Sequence, residues 1–235
     1  MSKTAYKKSA YKYGFSTPEI SIFKTKKGID SSVVRAISLE KNEDKKMLNF
    51  RLRAYQFFIN QPLPSWGPNL SDINFDDIYY YLKPTEKESH SWSEVPAEIK
   101  NTYDKLGVPE NEKQSLGGIK AQYESEVVYG SLMKKLQKKG VIFCGMDEAF
   151  QKYPKILWQY FGKLVPPDDN KLASLNSAVW SGGSFIYVPK NVKVDLPLQT
   201  YFRINSQKMG QFERTLIIAD EGSSVHYIEG CTAPI

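Results

Sequence analysis

The sequence predicts an α+β protein in which helices come first and a stack of short strands comes last. Up to Gly182 the apolar residues recur mostly at offsets of three and four, as on amphipathic helices. From Gly183 onward they fall into short β-branched or aromatic runs separated by polar turns. No helical pattern separates those runs, so crossover helices are not expected. A sandwich, a barrel or a β-solenoid all satisfy this pattern.

Residues 1–30 are polar and basic without sustained periodicity and predict a flexible arm. Asp30 or Ser31 opens a short helix through Val33, Val34 and Ile37. A longer helix is expected from about Asp44 to Asn60, with Leu48, Leu52, Tyr55 and Ile59 as its apolar stripe, ended by Pro62 and Pro64. The aromatic, Pro-rich stretch 61–95 is expected to wrap over the body. Pro96 starts a helix whose inner side is Ile99, Tyr103 and Leu106, stopped by Gly107 and Pro109. A helix over 124–139, with Val128, Leu132 and Leu136 on one face, ends at Gly140. The run Val141–Cys144 reads as a buried strand with an inert thiol. Asp147 and Asp169 are expected to cap two further helices, the second carrying Leu172, Leu175 and Val179 inward. Strands are then expected at Ser184–Pro189, Gln199–Asn205, Glu213–Ala219 and Val225–Gly230.

The chain has 235 residues, of which 41% are hydrophobic and 25% charged, enough to bury one large core or two small ones. No run approaches the ~18 apolar residues of a membrane span, and the basic start has no apolar stretch of the secretory kind. The net charge of +6 resides in the first 27 residues, where seven lysines face Glu19 alone; the remainder balances at 25 basic and 25 acidic residues. A balanced body argues against a nucleic-acid-binding protein. Two cysteines make no disulfide framework and fit a reducing compartment. With two histidines and no CxxC, no closed metal site is recognisable. No phosphate-binding loop, nucleophile elbow or HExxH motif occurs.

Two side chains in the strand region bear on chemistry. Alternation sets Tyr201, Arg203 and Asn205 on one face and Phe202 and Ile204 on the other. Arg203 is then an ordinary exposed arginine, unless both faces are covered, when it needs a partner such as Glu213 or Glu229. Val225, Tyr227, Glu229 and Cys231 share one side of the last strand. A carboxylate beside Cys231 raises its pKa, and an arginine nearby opposes that shift.

The stretch GQFERTLIIADEGSSVHYIEGCTAP (Gly210–Pro234), preceded by TYFRIN (Thr200–Asn205), closely resembles the SufB family of iron–sulfur cluster assembly scaffolds. VVRAIS, MLNFRLRAY, KLGVP, GVIFC, LNSAV and FIYVPK match in the same order along nearly the whole chain. The KYGF opening and EGCTAP turn look most like the cyanobacterial and plastid branch. The resemblance implies a helix-rich N-terminal domain (residues 31–182) after the basic arm (1–30). A right-handed parallel β-helix would follow, of which residues 183–235 would be the opening turns of an incomplete domain, family members being about twice this length. It further implies a non-enzymatic scaffold that takes persulfide sulfur from a cysteine desulfurase or sulfur-transfer protein. Its partners would be SufD and the ATPase SufC, in a plastid or a bacterial cytoplasm. By the same resemblance Cys231, Arg203 and Asn205 would line a sulfur-transfer path. The ligands of the nascent Fe–S cluster would lie mostly beyond residue 235, and the assembled complex would bind reduced flavin. The cysteine-rich insert that some relatives carry near 83–93 is absent. A β-helix enzyme acting on polysaccharide is the rival reading, but it predicts acidic clusters that the sequence lacks.

Overall fold

The computed structural model describes residues 14–86, 88–107 and 116–233. In chain order these form β1 (Phe23–Lys24), α1 (Ser31–Glu40), α2 (Lys45–Asn60), β2 (Leu82–Lys83), α3 (Ala97–Leu106), β3 (Gly118–Tyr123), β4 (Glu126–Leu132), α4 (Lys134–Lys138), β5 (Ile142–Gly145), α5 (Met146–Lys152), α6 (Pro154–Tyr160), α7 (Lys171–Val179), β6 (Ser184–Val188), β7 (Leu198–Arg203), β8 (Leu216–Ala219) and β9 (Tyr227–Thr232).

Local signals fix most helix starts. The Asp30 carboxylate accepts from the N–H groups of Ser32 and Val33, and Asp44 accepts from Met47 N at 2.8 Å. The expected stripe of α2 is displaced by one residue. Met47, Arg51, Ala54 and Phe58 are buried, whereas Ile59 is 48% exposed. The displacement follows from Arg51, a charge that an apolar pattern cannot place inside. Its guanidinium donates to both Glu43 carboxylate oxygens (2.7 and 2.6 Å) and to Ala178 O (3.2 Å), and lies over the Trp180 ring. These contacts join α2 to α7, beside a cluster of Val33, Ile37, Ala54, Phe58, Tyr81 and Leu175.

Three other expectations change. The helix expected over 124–139 is instead β4 followed by the single turn α4, with β4 antiparallel to β3. Val128, Leu132 and Leu136 stand four apart, a spacing that fits one side of a strand as well as one face of a helix; the run Val127-Val128-Tyr129 favours the strand. Helix α7 is capped by Asn170 rather than Asp169. Asp147 sits inside the first turn of α5, where it accepts from Lys41 Nζ (2.7 Å) and Gly182 N (3.3 Å). Lys41 also reaches Glu126, to which Tyr81 donates its hydroxyl, so one buried ammonium joins the end of α1 to β4 and α5. The two carboxylates outweigh burial and hold the Lys41 pKa up.

The described part of the expected basic arm, residues 14–30, is held against the body: β1 pairs with β2, and Thr25 is buried. Residues 1–13 lie outside the described residues.

Two larger sheets carry the strand region, in the orders β4-β3-β7-β9 and β5-β6-β8. After α7 the chain alternates between them. Strand β6 joins one sheet and β7 the other; β8 then returns parallel to β6, with Phe185 opposite Leu216, and β9 returns parallel to β7, with Leu198 opposite Tyr227. Phe143, Ile186, Val188 and Leu198 pack together in the core there, and the Ser184 and Thr200 hydroxyls meet at 2.8 Å. Strands β8 and β9 are the outer strands of their sheets.

Breaking the buried ion pair isolates a charge, which typically costs about 3–5 kcal/mol. Arg51→Ala is therefore expected to lower the unfolding free energy in urea titration by about that amount. Leu39→Ala, at a side chain 83% exposed, should change it by less than about 0.5 kcal/mol.

Candidate functional site

The polar centre lies where β7 ends. Phe202 and Arg203 are both buried, because the sheet is covered on both faces; Arg203 is therefore not the exposed arginine that alternation alone suggested. Its guanidinium donates to Phe15 O and sits 4.7 Å from the Phe15 ring centroid. Asn205 grips the same segment. Its side-chain oxygen accepts from Thr17 N (2.8 Å), and its Nδ2 donates to Thr17 O (2.9 Å). The Thr17 hydroxyl donates to Asn205 Oδ1 and meets Tyr123 Oη at 3.2 Å. Arg203 and Asn205 are thus brought together, on residues 15–17.

Cys231 is placed differently. In the β7–β9 register it stands opposite Phe202, while Arg203 stands opposite Thr232. Alternation then turns Cys231 and Phe202 to one face and Arg203 to the other. Thr200 and Tyr227 share the Cys231 face, and both reach the Ser184 hydroxyl, so that face looks toward the second sheet. Because β9 is an outer strand, Cys231 is nonetheless exposed.

The thiol environment is acidic. Glu229 accepts from the hydroxyls of Thr215 (2.9 Å) and Tyr227 (2.8 Å). Partial burial first, then Glu213, pushes the Cys231 thiol up, with Glu229 adding to the effect and Arg203 opposing it. The S–H points at Gln211 Oε1, 3.8 Å away. Cys144 is buried in β5, as the strand reading expected, and burial pushes its thiol up to about 12. It borders a groove of about 700 Å³ beside β5, but the charges there are mutually satisfied: Lys120 with Glu88 and Lys152 with Glu148, each at 2.6 Å. Among the described residues, no group of three or more His, Cys, Asp or Glu side chains is placed to hold a metal ion.

Sequence reasoning missed Glu124. It occupies the β3–β4 turn at φ 55°, a left-handed conformation usually left to glycine. Its buried carboxylate accepts from Asn205 N (3.1 Å) and Ser206 N (2.7 Å), and its N–H donates to Arg203 O (2.9 Å). Burial pushes this carboxyl up, against the donors from residues 205 and 206. No sequence signal marks such a residue, since its backbone angle and its partners about 80 positions away exist only in the fold. Phe15 and Thr17 were missed for the same reason.

Residues 35–200 match the family model described as the SufBD protein N-terminal region. The chain belongs to the SufBD family. It is 59% identical over its whole length to an iron–sulfur cluster assembly SufBD family protein of Staphylococcus aureus (strain MRSA252), covering 50% of that protein. It is 58% identical, again over its whole length and 50% of the relative, to proteins of the same description from S. aureus (strain USA300) and Staphylococcus haemolyticus. The chain thus spans about half the length of the curated relatives it matches. These relatives are bacterial and lend no support to the cyanobacterial and plastid likeness.

Asn205→Ala removes both main-chain bonds to Thr17, each worth about 1 kcal/mol. Hydrogen exchange should speed up at the Thr17 amide by about tenfold or more, while the β7–β9 amides keep their protection. Unchanged exchange at Thr17 would show that Asn205 does not hold the segment.

Proposed function

We propose that this chain is the N-terminal part of a SufB-type scaffold subunit that receives persulfide sulfur for iron–sulfur cluster assembly. The observation carrying the reading is the position of Cys231: an exposed thiol on the inward face of an outer strand, in a chain of the SufBD family. The alternation of β6, β7, β8 and β9 between two sheets, each return parallel to the strand before, supports a further proposal that residues 183–235 form the opening turns of a right-handed parallel β-helix.

In the proposed step, the Cys231 thiolate attacks the outer sulfur of a donor persulfide, R–S–SH. The donor S–S bond breaks, its cysteine leaves as a thiolate, and the proton lost by Cys231 ends on that donor. Cys231 then carries the persulfide. Arg203, whose charge already favours the Cys231 thiolate, would ease ionisation across the sheet. Asn205 would act by holding the segment that covers Arg203. The cluster under construction is cargo, and the chain acts as a platform rather than an enzyme. Its partners would be SufD, the ATPase SufC and a cysteine desulfurase or sulfur-transfer protein, in a bacterial cytoplasm.

The full-length product is expected to co-purify with a SufC-type ATPase and to gain iron and sulfide in equal amounts during anaerobic, desulfurase-driven reconstitution. Cys231→Ala should slow that gain by about tenfold, with ATPase binding unchanged. Normal reconstitution by Cys231→Ala would remove this cysteine from the sulfur route.

A further inference from the structure

Glu124 Oε1, its N–H and its carbonyl all bond to the stretch from Arg203 to Gln211. Its carboxylate holds the N–H groups of Asn205 and Ser206, its N–H holds Arg203 O, and its carbonyl accepts from Gln211 Nε2 at 3.1 Å. The same carbonyl accepts from Gln122 Nε2 at 3.2 Å, and the Gln122 oxygen is in turn fixed by Gly183 N at 2.7 Å. Holding a glutamate in left-handed backbone costs about 1–3 kcal/mol. Glycine would remove that cost but supplies no carboxylate. The strain is therefore tolerated where the side chain fixes the turn that leaves β7.

We propose that Glu124 is a positioning residue for Cys231: the turn it builds orients the Gln211 amide so that its oxygen, not its nitrogen, faces the thiol. This rests on the reading of Cys231 as the sulfur-accepting residue. With Nε2 committed to the Glu124 carbonyl, Gln211 offers the sulfur an acceptor only. An acceptor favours S–H over the thiolate, in the same direction as the flanking carboxylates Glu213 and Glu229 and against Arg203, the titratable groups that act on this thiol. Cys231 is thereby kept protonated and slow toward adventitious electrophiles until a docked donor changes its surroundings.

The test is the pH profile of Cys231 alkylation by iodoacetamide in the full chain, with Cys231→Ala supplying the background from Cys144. The wild-type midpoint should lie above the ordinary cysteine range. Glu124→Asn tolerates the left-handed angle but is too short to reach residues 205 and 206. It should lower the midpoint by about half a pKa unit, or about threefold faster alkylation near pH 8. Gln211→Leu should do the same, and Glu124→Gln, which keeps an acceptor oxygen, should retain the wild-type profile. If Glu124→Asn does not fold, Glu124→Gly, which adopts the angle freely, replaces it. A wild-type profile in folded Glu124→Asn or Glu124→Gly, or in Gln211→Leu, overturns the proposal. That outcome leaves the sulfur-acceptor reading standing, whereas normal cluster assembly by Cys231→Ala removes that reading and leaves the alkylation result intact.

Discussion

Strand β7 must be covered on both faces and paired along both edges, and the other features of the site depend on that constraint. It lies between β3 and β9, parallel to both. Leu198, Thr200 and Phe202 point toward the second sheet, and Arg203 points the other way. Burying Phe202 contributes about 2–3 kcal/mol, but the same enclosure buries a guanidinium, which must then be satisfied. The Phe15 carbonyl accepts from this guanidinium and the Phe15 ring lies beside it. The N-terminal segment is thus drawn onto the body by a charge near the other end of the sequence. Asn205 and Thr17 extend that attachment by three further hydrogen bonds.

Arg203 and Cys231 consequently communicate through a sheet rather than across a shared cavity. The register that sets Cys231 beside Phe202 excludes direct side-chain contact on one face, yet the arginine's charge still favours the thiolate. Cys231 is in balance between this cation and the carboxylates of Glu213 and Glu229, and the carboxylates with burial prevail.

Much of the fold was legible in the sequence wherever one local rule sufficed. Asp30 and Asp44 announced their helices and the run 141–144 announced a strand, but the change of pattern at Gly183 did not show that β3, β4 and β5, earlier in the chain, belong to the same two sheets. The misses share a cause. Val128, Leu132 and Leu136 fit two periodicities at once, so spacing alone could not separate β4 from a helix. Arg51 broke the apolar pattern of α2 because its partners Glu43, Ala178 and Trp180 come from other elements. At the site, the resemblance marked Cys231, Arg203 and Asn205, but nothing in the sequence stated that Arg203 and Asn205 bind residues 15–17, or that a glutamate would occupy a turn suited to glycine. Those facts depend on long-range register, which composition and spacing do not encode.

Cys231 is proposed to accept sulfur, and mass spectrometry of the peptide containing it is the direct test. The full-length protein is incubated anaerobically with a cysteine desulfurase, its transfer protein and cysteine, and then trapped with an alkylating agent. The expected product is a Cys231 adduct heavier by the mass of one or more sulfur atoms, absent without cysteine and absent from Cys144. A Cys231 peptide recovered only as the simple thiol adduct, while the transfer protein itself carries persulfide, would contradict the proposal.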